Sequence, residues 1–227
     1  MKAIIGVRMV NTHRRAMVSI NKKAGLRVRA LFRAIFGRIF LYEKVFVFET
    51  LSSKICFITA NKGGVNIRLA RSDDILKLKR FEKFKGGKAG ERLRAGHLCF
   101  VAEKDGKIAN YTWVCFNEAF ISELERKLHV GPNSAYRYDG FTVPEYRGMG
   151  ILPRVLAWSS DYLFRNGIKD IYDLVTSNNY PSLRAHAKVG SVKMGEVTLI
   201  KLFRLRTYKC KGETPQDYVE IRKIFSI

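Results

Sequence analysis

Residues 141–152 read FTVPEYRGMGIL. An apolar, partly β-branched run (Phe141, Thr142, Val143) is closed by Pro144. Arg147, Gly148, Met149 and Gly150 follow, and then the helix-like run ILPRVLAWSSDYLFRNG. This is the pattern of a strand, a tight glycine-containing turn and a helix. The first turn of a helix presents backbone N–H groups with no intrahelical partner, and the helix dipole concentrates partial positive charge there. Glycines at the turn let a ligand approach the backbone closely. Arg147 adds a planar cationic fork beside those donors. The combination suits a phosphate or pyrophosphate.

Other phosphate loops do not fit. The chain has neither G-x-x-x-x-G-K-[ST] nor G-x-G-x-x-G after a strand. The order V-P-x-x-R-G-x-G instead resembles the acyl-CoA pyrophosphate loop of the GNAT (N-acetyltransferase) superfamily, whose pattern is [RQ]-x-x-G-x-[GA] after a strand. Arg147 and Gly150 match, and Leu152 stands where the family usually has Gly or Ala. A second segment, TSNNYPSLRAHAKVGS (176–191), resembles the family's N-x-x-[AS]-x-x-x-[Y]-x-K-x-G-F. Asn179, Ser182, Lys188 and Gly190 fall in register. His186 occupies the position where the family often has Tyr, and Ser191 replaces the usual Phe. Upstream, HLCFVAEKDGKIANYTWV carries two β-rich runs joined across Asp105-Gly106, a hairpin signal. The resemblance covers roughly residues 65–210.

The resemblance implies an α/β (α+β) fold: a mixed, mostly antiparallel sheet flanked by helices, preceded here by a basic N-terminal extension. Two neighbouring parallel strands would splay apart at the cofactor turn, and the pantetheine arm would fill the gap. It implies that acetyl-CoA or another acyl-CoA is the co-substrate; the Cys and His residues lack ligand spacing, so no metal is expected. The cofactor would lie along Phe141, Thr142 and Val143, around Arg147, Gly148, Met149, Gly150 and Ile151, and against Asn179 and Ser182. A backbone N–H near Thr142 and Val143 would stabilise the oxyanion. His186 is the candidate acid for the departing thiolate, with Tyr180 and Ser182 as alternative donors. An imidazole titrates near neutrality, which suits proton transfer. Asp139, Tyr138 and Glu103 are candidate acceptors of the amine proton.

At 227 residues, 47% hydrophobic, the chain can build one sizeable core. No apolar run approaches the ~20 residues of a membrane span. The start, MKAIIGVRMVNTHRRAM, does not read as a signal peptide. Cys56, Cys99, Cys115 and Cys210 show no C-x-x-C pairing, which points to free thiols in a reducing cytoplasm. The expected localisation is cytoplasmic, peripheral to the membrane if the N-terminus binds lipid.

The net charge is +22. Residues 1–62 hold 13 Lys/Arg and 2 Asp/Glu, so half of the excess lies in the first quarter. A second basic cluster runs from Lys77 to Arg94. Such fields favour nucleic acid, anionic headgroups, an acidic carrier protein or a phosphorylated substrate. Residues 25–41, GLRVRALFRAIFGRIFL, read as a short basic amphipathic helix. It either docks on the domain, its Arg stems covering apolar surface, or lies on an anionic membrane.

Residues 1–62 are expected to form the extension, with extra strands at 44–59 ahead of the core, and 63–227 the acyltransferase domain. VNIRLA (65–70) is the first core strand, and Ser72 caps a helix that starts with Asp73 and Asp74. A short helical turn at 91–95, the hairpin at 98–116, a helix or loop insertion at 118–128, and strands at 134–143 and 170–176 follow. SLRAHAKV is helical, 197–210 is a terminal strand or hairpin arm, and a short helix ends the chain.

These readings point to an acyltransferase moving an acetyl or other short acyl group to a primary amine. An acyl-carrier-protein-dependent acyltransferase and a non-catalytic basic nucleic-acid-binding protein are the alternatives. The absence of helix-turn-helix, zinc-knuckle or RNP-like patterns argues against nucleic acid. A homodimer stays open.

Overall fold

The computed structural model describes residues 40–54, 63–82 and 89–227. The expected helix at 25–41 falls almost wholly outside them. So do the second strand-like run after Lys54, Cys56 and part of the 77–94 basic cluster. The chain divides into two compact units, one of Met1–Tyr42 with Leu199–Thr207 and one of Glu43–Thr198 with Tyr208–Ile227.

The strands are β1 (Phe40–Leu51), β2 (Val65–Leu69), β3 (Leu98–Lys104), β4 (Lys107–Cys115), β5 (Glu118–Ile121), β6 (Arg126–His129), β7 (Ser134–Thr142), β8 (Asp170–Thr176), β9 (Val192–Leu202) and β10 (Leu205–Gly212). The helices are α1 (Asp74–Glu82), α2 (Ala89–Arg94), α3 (Ile151–Arg165), α4 (Tyr180–Val189) and α5 (Pro215–Phe225). The main sheet runs β10-β9-β1-β8-β7-β4-β3-β2. The β7–β8 pair is parallel, whereas β1–β8, β4–β7, β3–β4 and β2–β3 are antiparallel.

Alternation along β3 shows why helices cover both faces. Phe100 and Ala102 join Val155 and Leu163 of α3 in one core, whereas Cys99 and Val101 join Leu78 of α1 and Ala89 of α2 in the other. Successive strand residues point to opposite faces, so a strand buried on both sides is apolar throughout. The thiols of Cys99 and Cys115 are free and buried, and burial pushes Cys115 up to about 12. The Asp105-Gly106 turn takes φ 51° and 72°, as a two-residue hairpin requires.

Three sequence readings change. The run at 44–51 does not precede the core: β1 lies inside the sheet between β8 and β9, with Val45, Val47 and Thr50 buried. Residues 118–128 are not helical but form the β5–β6 hairpin, a separate two-stranded sheet. Leu124 and Leu128 are fully buried, and Arg126 donates to the Phe225 and Ser226 carbonyls at the end of α5. That long-range anchor satisfies helix-terminal acceptors and overrides local helical spacing. Finally, α1 begins at Asp74 rather than at a Ser72 cap. Asp74 is buried, accepts the Arg71 N–H and is paired with Arg68. The run at 197–210 spans the β9–β10 hairpin, turning at Phe203-Arg204.

Candidate active site

The register of β7 and β8 stops at Arg137↔Asp173. Beyond it, Tyr138–Thr142 follows β4 through an irregularity in the register opposite Thr112. Asp139 there takes φ 48°, and a Cβ on Gly140 would meet Thr112 Oγ1 at 3.3 Å. The extra residue bends β7 away from β8. A cleft of about 1080 Å³ opens at this point.

The mouth of the cleft is the turn read first in the sequence. Gly148 and Gly150 take φ 80° and 67°, left-handed values that explain glycine at both positions. A Cβ at either would meet nothing within 4 Å, so space lies above the turn. Among the described residues, the N–H groups of Gly148, Met149 and Gly150 donate to no backbone carbonyl. Ile151 and Leu152 add first-turn donors, while Pro153 has none. The Arg147 Nε donates to Thr142 O at 3.1 Å, which ties the turn to the strand end and leaves the rest of the guanidinium exposed. Arg154 was missed in the sequence. It returns from one helical turn later to the Met149 and Gly150 carbonyls at 2.6 and 3.0 Å, so a second cation backs the turn. Its i+4 spacing from Gly150 was the available signal.

The floor is a buried polar network that sequence reasoning also missed. Arg137, 2% exposed, donates to both Asp173 carboxylate oxygens, to Leu156 O, and to the hydroxyls of Thr50, Ser159 and Ser160. Thr50 Oγ1 lies 2.7 Å from Ser191 Oγ, which lies 3.4 Å from His186 Nδ1. One connected set thus joins β1, β7, β8, α3 and α4 where the two parallel strands part.

His186 lines the cleft but is 3% exposed and stacks on Phe48. Burial lowers its pKa, Asp173 opposes that, and Arg137 reinforces it. The shift favours the neutral imidazole, the form less able to hand a proton to a thiolate. Tyr180 is 63% exposed and lies outside the cleft lining. Val143 and Met149 also lie outside it. The Val143 N–H is committed to Ala109 O at 2.9 Å, so it is no oxyanion donor. By strand alternation the Thr142 N–H faces the opposite edge, toward the gap. Phe141, Thr142, Arg147, Gly148, Gly150 and Ile151 do come together around the cleft, as do Asn179 and Ser182. Asn179 Oδ1 caps α4 by accepting the Ser182 N–H at 3.3 Å.

The cleft lining also includes Tyr136, Tyr138, Asp139 and, from the β5–β6 hairpin, Glu123. Arg92 holds Asp139 Oδ2 at 2.7 Å and lies over Trp113 and Tyr138. Tyr138 shares a 2.6 Å hydrogen bond with His97, and burial raises its pKa, which makes it a poor base at neutral pH. Glu103 is paired with Arg68, outside the cleft. Glu123, not anticipated as a site residue, accepts from its neighbour Ser122 at 2.8 Å. It is felt by Glu43, whose pKa is raised first by burial and then by Glu123.

The strands part at a cleft closed by a glycine turn at a helix N-terminus, the arrangement that the sequence resemblance implied. The profile of the acetyltransferase (GNAT) family matches residues 70–190. The chain belongs to this family. A search of curated protein sequences gives no significant match. Among solved structures, a GNAT-family acetyltransferase from Colwellia psychrerythraea superposes with a TM-score of 0.52 at 15% identity, covering 73% of this chain and 57% of that one. A protein assigned to the same family from Novosphingobium aromaticivorans DSM 12444 gives 0.52 at 17% identity, covering 71% and 64%. The chain thus spans less than two thirds of the length of either structure.

Proposed function

We propose that this protein transfers an acetyl or other short acyl group from acyl-CoA to a primary amine. The observation that carries the reading is the end of β7–β8 pairing at Arg137 and Asp173, on the strand that leads into the Arg147–Ile151 turn. The turn's N–H groups and Arg147 receive the pyrophosphate. The unpaired edge of β7 beyond Arg137 offers strand-like hydrogen bonds to the pantetheine arm. The Thr142 N–H stabilises the oxyanion formed when a neutral amine attacks the thioester carbon. Collapse of that adduct forms the amide and breaks the C–S bond. A thiol pKa of about 8.5 makes the thiolate a tolerable leaving group without a dedicated acid.

Glu123 gives the acceptor side a carboxylate in a chain of net charge +22. It attracts the acceptor as its ammonium form, and the proton then leaves to water at the exposed rim. The test follows free-thiol release when purified protein is mixed with acetyl-CoA and a panel of primary amines. Amine-dependent thiol release supports the reading. Thiol release that no amine accelerates, with CoA bound, removes the acceptor assignment. Absence of CoA binding removes the whole reading.

A further inference from the structure

The unit formed by Met1–Tyr42 and Leu199–Thr207 carries thirteen Lys/Arg and not one Asp or Glu. Its described residues include the tip of the β9–β10 hairpin, LFRL (202–205). Two features of that tip run against ordinary hairpin chemistry. Phe203, the first residue of the two-residue turn, takes φ 53°, a conformation usually given to Gly or Asn and costly for a bulky side chain. It is also 63% exposed, and Leu205 is 75% exposed. Leu202 beside them, and Phe40 and Tyr42 at the start of β1, are exposed too. Among the described residues, these few positions hold five of the eleven exposed large hydrophobic side chains. The rest are scattered over the other unit. Arg204 lies within the tip, with Lys201 and Arg206 flanking it.

We propose that the β9–β10 tip docks on an anionic lipid surface, with Phe203, Leu202 and Leu205 entering the headgroup region and the flanking cations meeting lipid phosphates. A strained residue kept in place despite its cost points to a use for its side chain. Clustered exposed apolar groups rimmed by charge mark an interaction surface. The uniform positive sign selects an anionic partner. The leucines select lipid over nucleic acid, because an aliphatic side chain gives a base nothing to stack on. No helix among the described residues is long and apolar enough to cross a membrane.

The test is co-sedimentation of the full chain with vesicles of phosphatidylcholine alone, or of phosphatidylcholine and phosphatidylglycerol in equal parts. Binding is expected only to the anionic vesicles and is expected to weaken with salt. Phe203→Gly relieves the backbone strain while removing the side chain. It should leave the melting temperature equal or higher yet weaken vesicle binding roughly tenfold, the transfer of one large apolar side chain. Leu76→Ser, at an exposed leucine of the other unit, should bind as the parent does. Equal binding to both vesicle types, or undiminished binding by Phe203→Gly, overturns the proposal. So does a preference for random-sequence duplex DNA that competes the protein off the vesicles.

Discussion

The floor of the cleft and the turn at its mouth are each built on an arginine, and the protein uses the two in opposite ways. Arg137 is buried and directs its whole guanidinium at protein acceptors: a carboxylate, a carbonyl and three hydroxyls. Arg147 is exposed and donates only its Nε, to a strand-end carbonyl. The first arrangement leaves nothing over for a ligand and locks the point where β7 and β8 separate. The second fixes the direction of the side chain but keeps its outer donors open. A guanidinium is therefore a brace or a binding group according to how many of its five N–H groups the fold already satisfies.

The sharpest way to break the comparison is at the floor. Arg137→Met leaves Asp173 buried without its counter-charge and should cost about 3–5 kcal/mol in urea unfolding. Adding Asp173→Leu should recover much of that loss, because a well-packed apolar pair often matches a buried ion pair. A single-variant cost under about 1 kcal/mol would show that the network is no brace. The turn should behave in the reverse sense. Arg147→Glu should change folding stability by no more than about 0.5 kcal/mol. It should weaken CoA binding by about 2–3 kcal/mol in calorimetry, and undiminished affinity would remove the turn from the site.

A smaller effect is expected across the cleft. Glu123→Gln should raise the KM for a cationic amine roughly fivefold, about 1 kcal/mol for one partly exposed ion pair, with kcat held. An unchanged KM would leave the acceptor side without its carboxylate anchor. The smallest effect is on pH. His186 and His97 have pKa values lowered first by burial. Between the folded and unfolded values the unfolded chain binds protons that the folded chain refuses, so stability falls as pH drops below about 6.5 and is level above it. His186→Phe should make that acid-side slope shallower in melts between neutral and mildly acidic pH. An unchanged slope would mean that His186 takes up its proton without resistance.

Legibility followed the range of the interactions. The strand–turn–helix at 141–165, the Asp105-Gly106 hairpin and the α4 segment were readable because glycine, proline and apolar period act within a few residues. The family pattern carried Thr142, Arg147, Gly150 and Asn179 to the cleft for the same reason. His186 shared that register yet lies in a closed network, because the side chains around it come from β1, β8 and Ser191 just before β9. Arg137 and Asp173 carried no local sign of pairing, being ordinary charged residues in apolar strands. Arg154 was within reach of helical spacing, whereas Glu123 depended on a hairpin whose pairing is anchored by α5.

The sequence by itself determined the class of fold, the glycine turn and the basic character of the chain, since backbone freedom, hydrophobic period and charge are properties of neighbouring residues. The tertiary structure decided that 40–51 enters the middle of the sheet and that 118–129 pairs as strands. It also decided which arginine is buried and which histidine is shielded. Those outcomes depend on burial and on partners far along the chain, and a desolvated charge is tolerable only where the whole fold brings its acceptors to it.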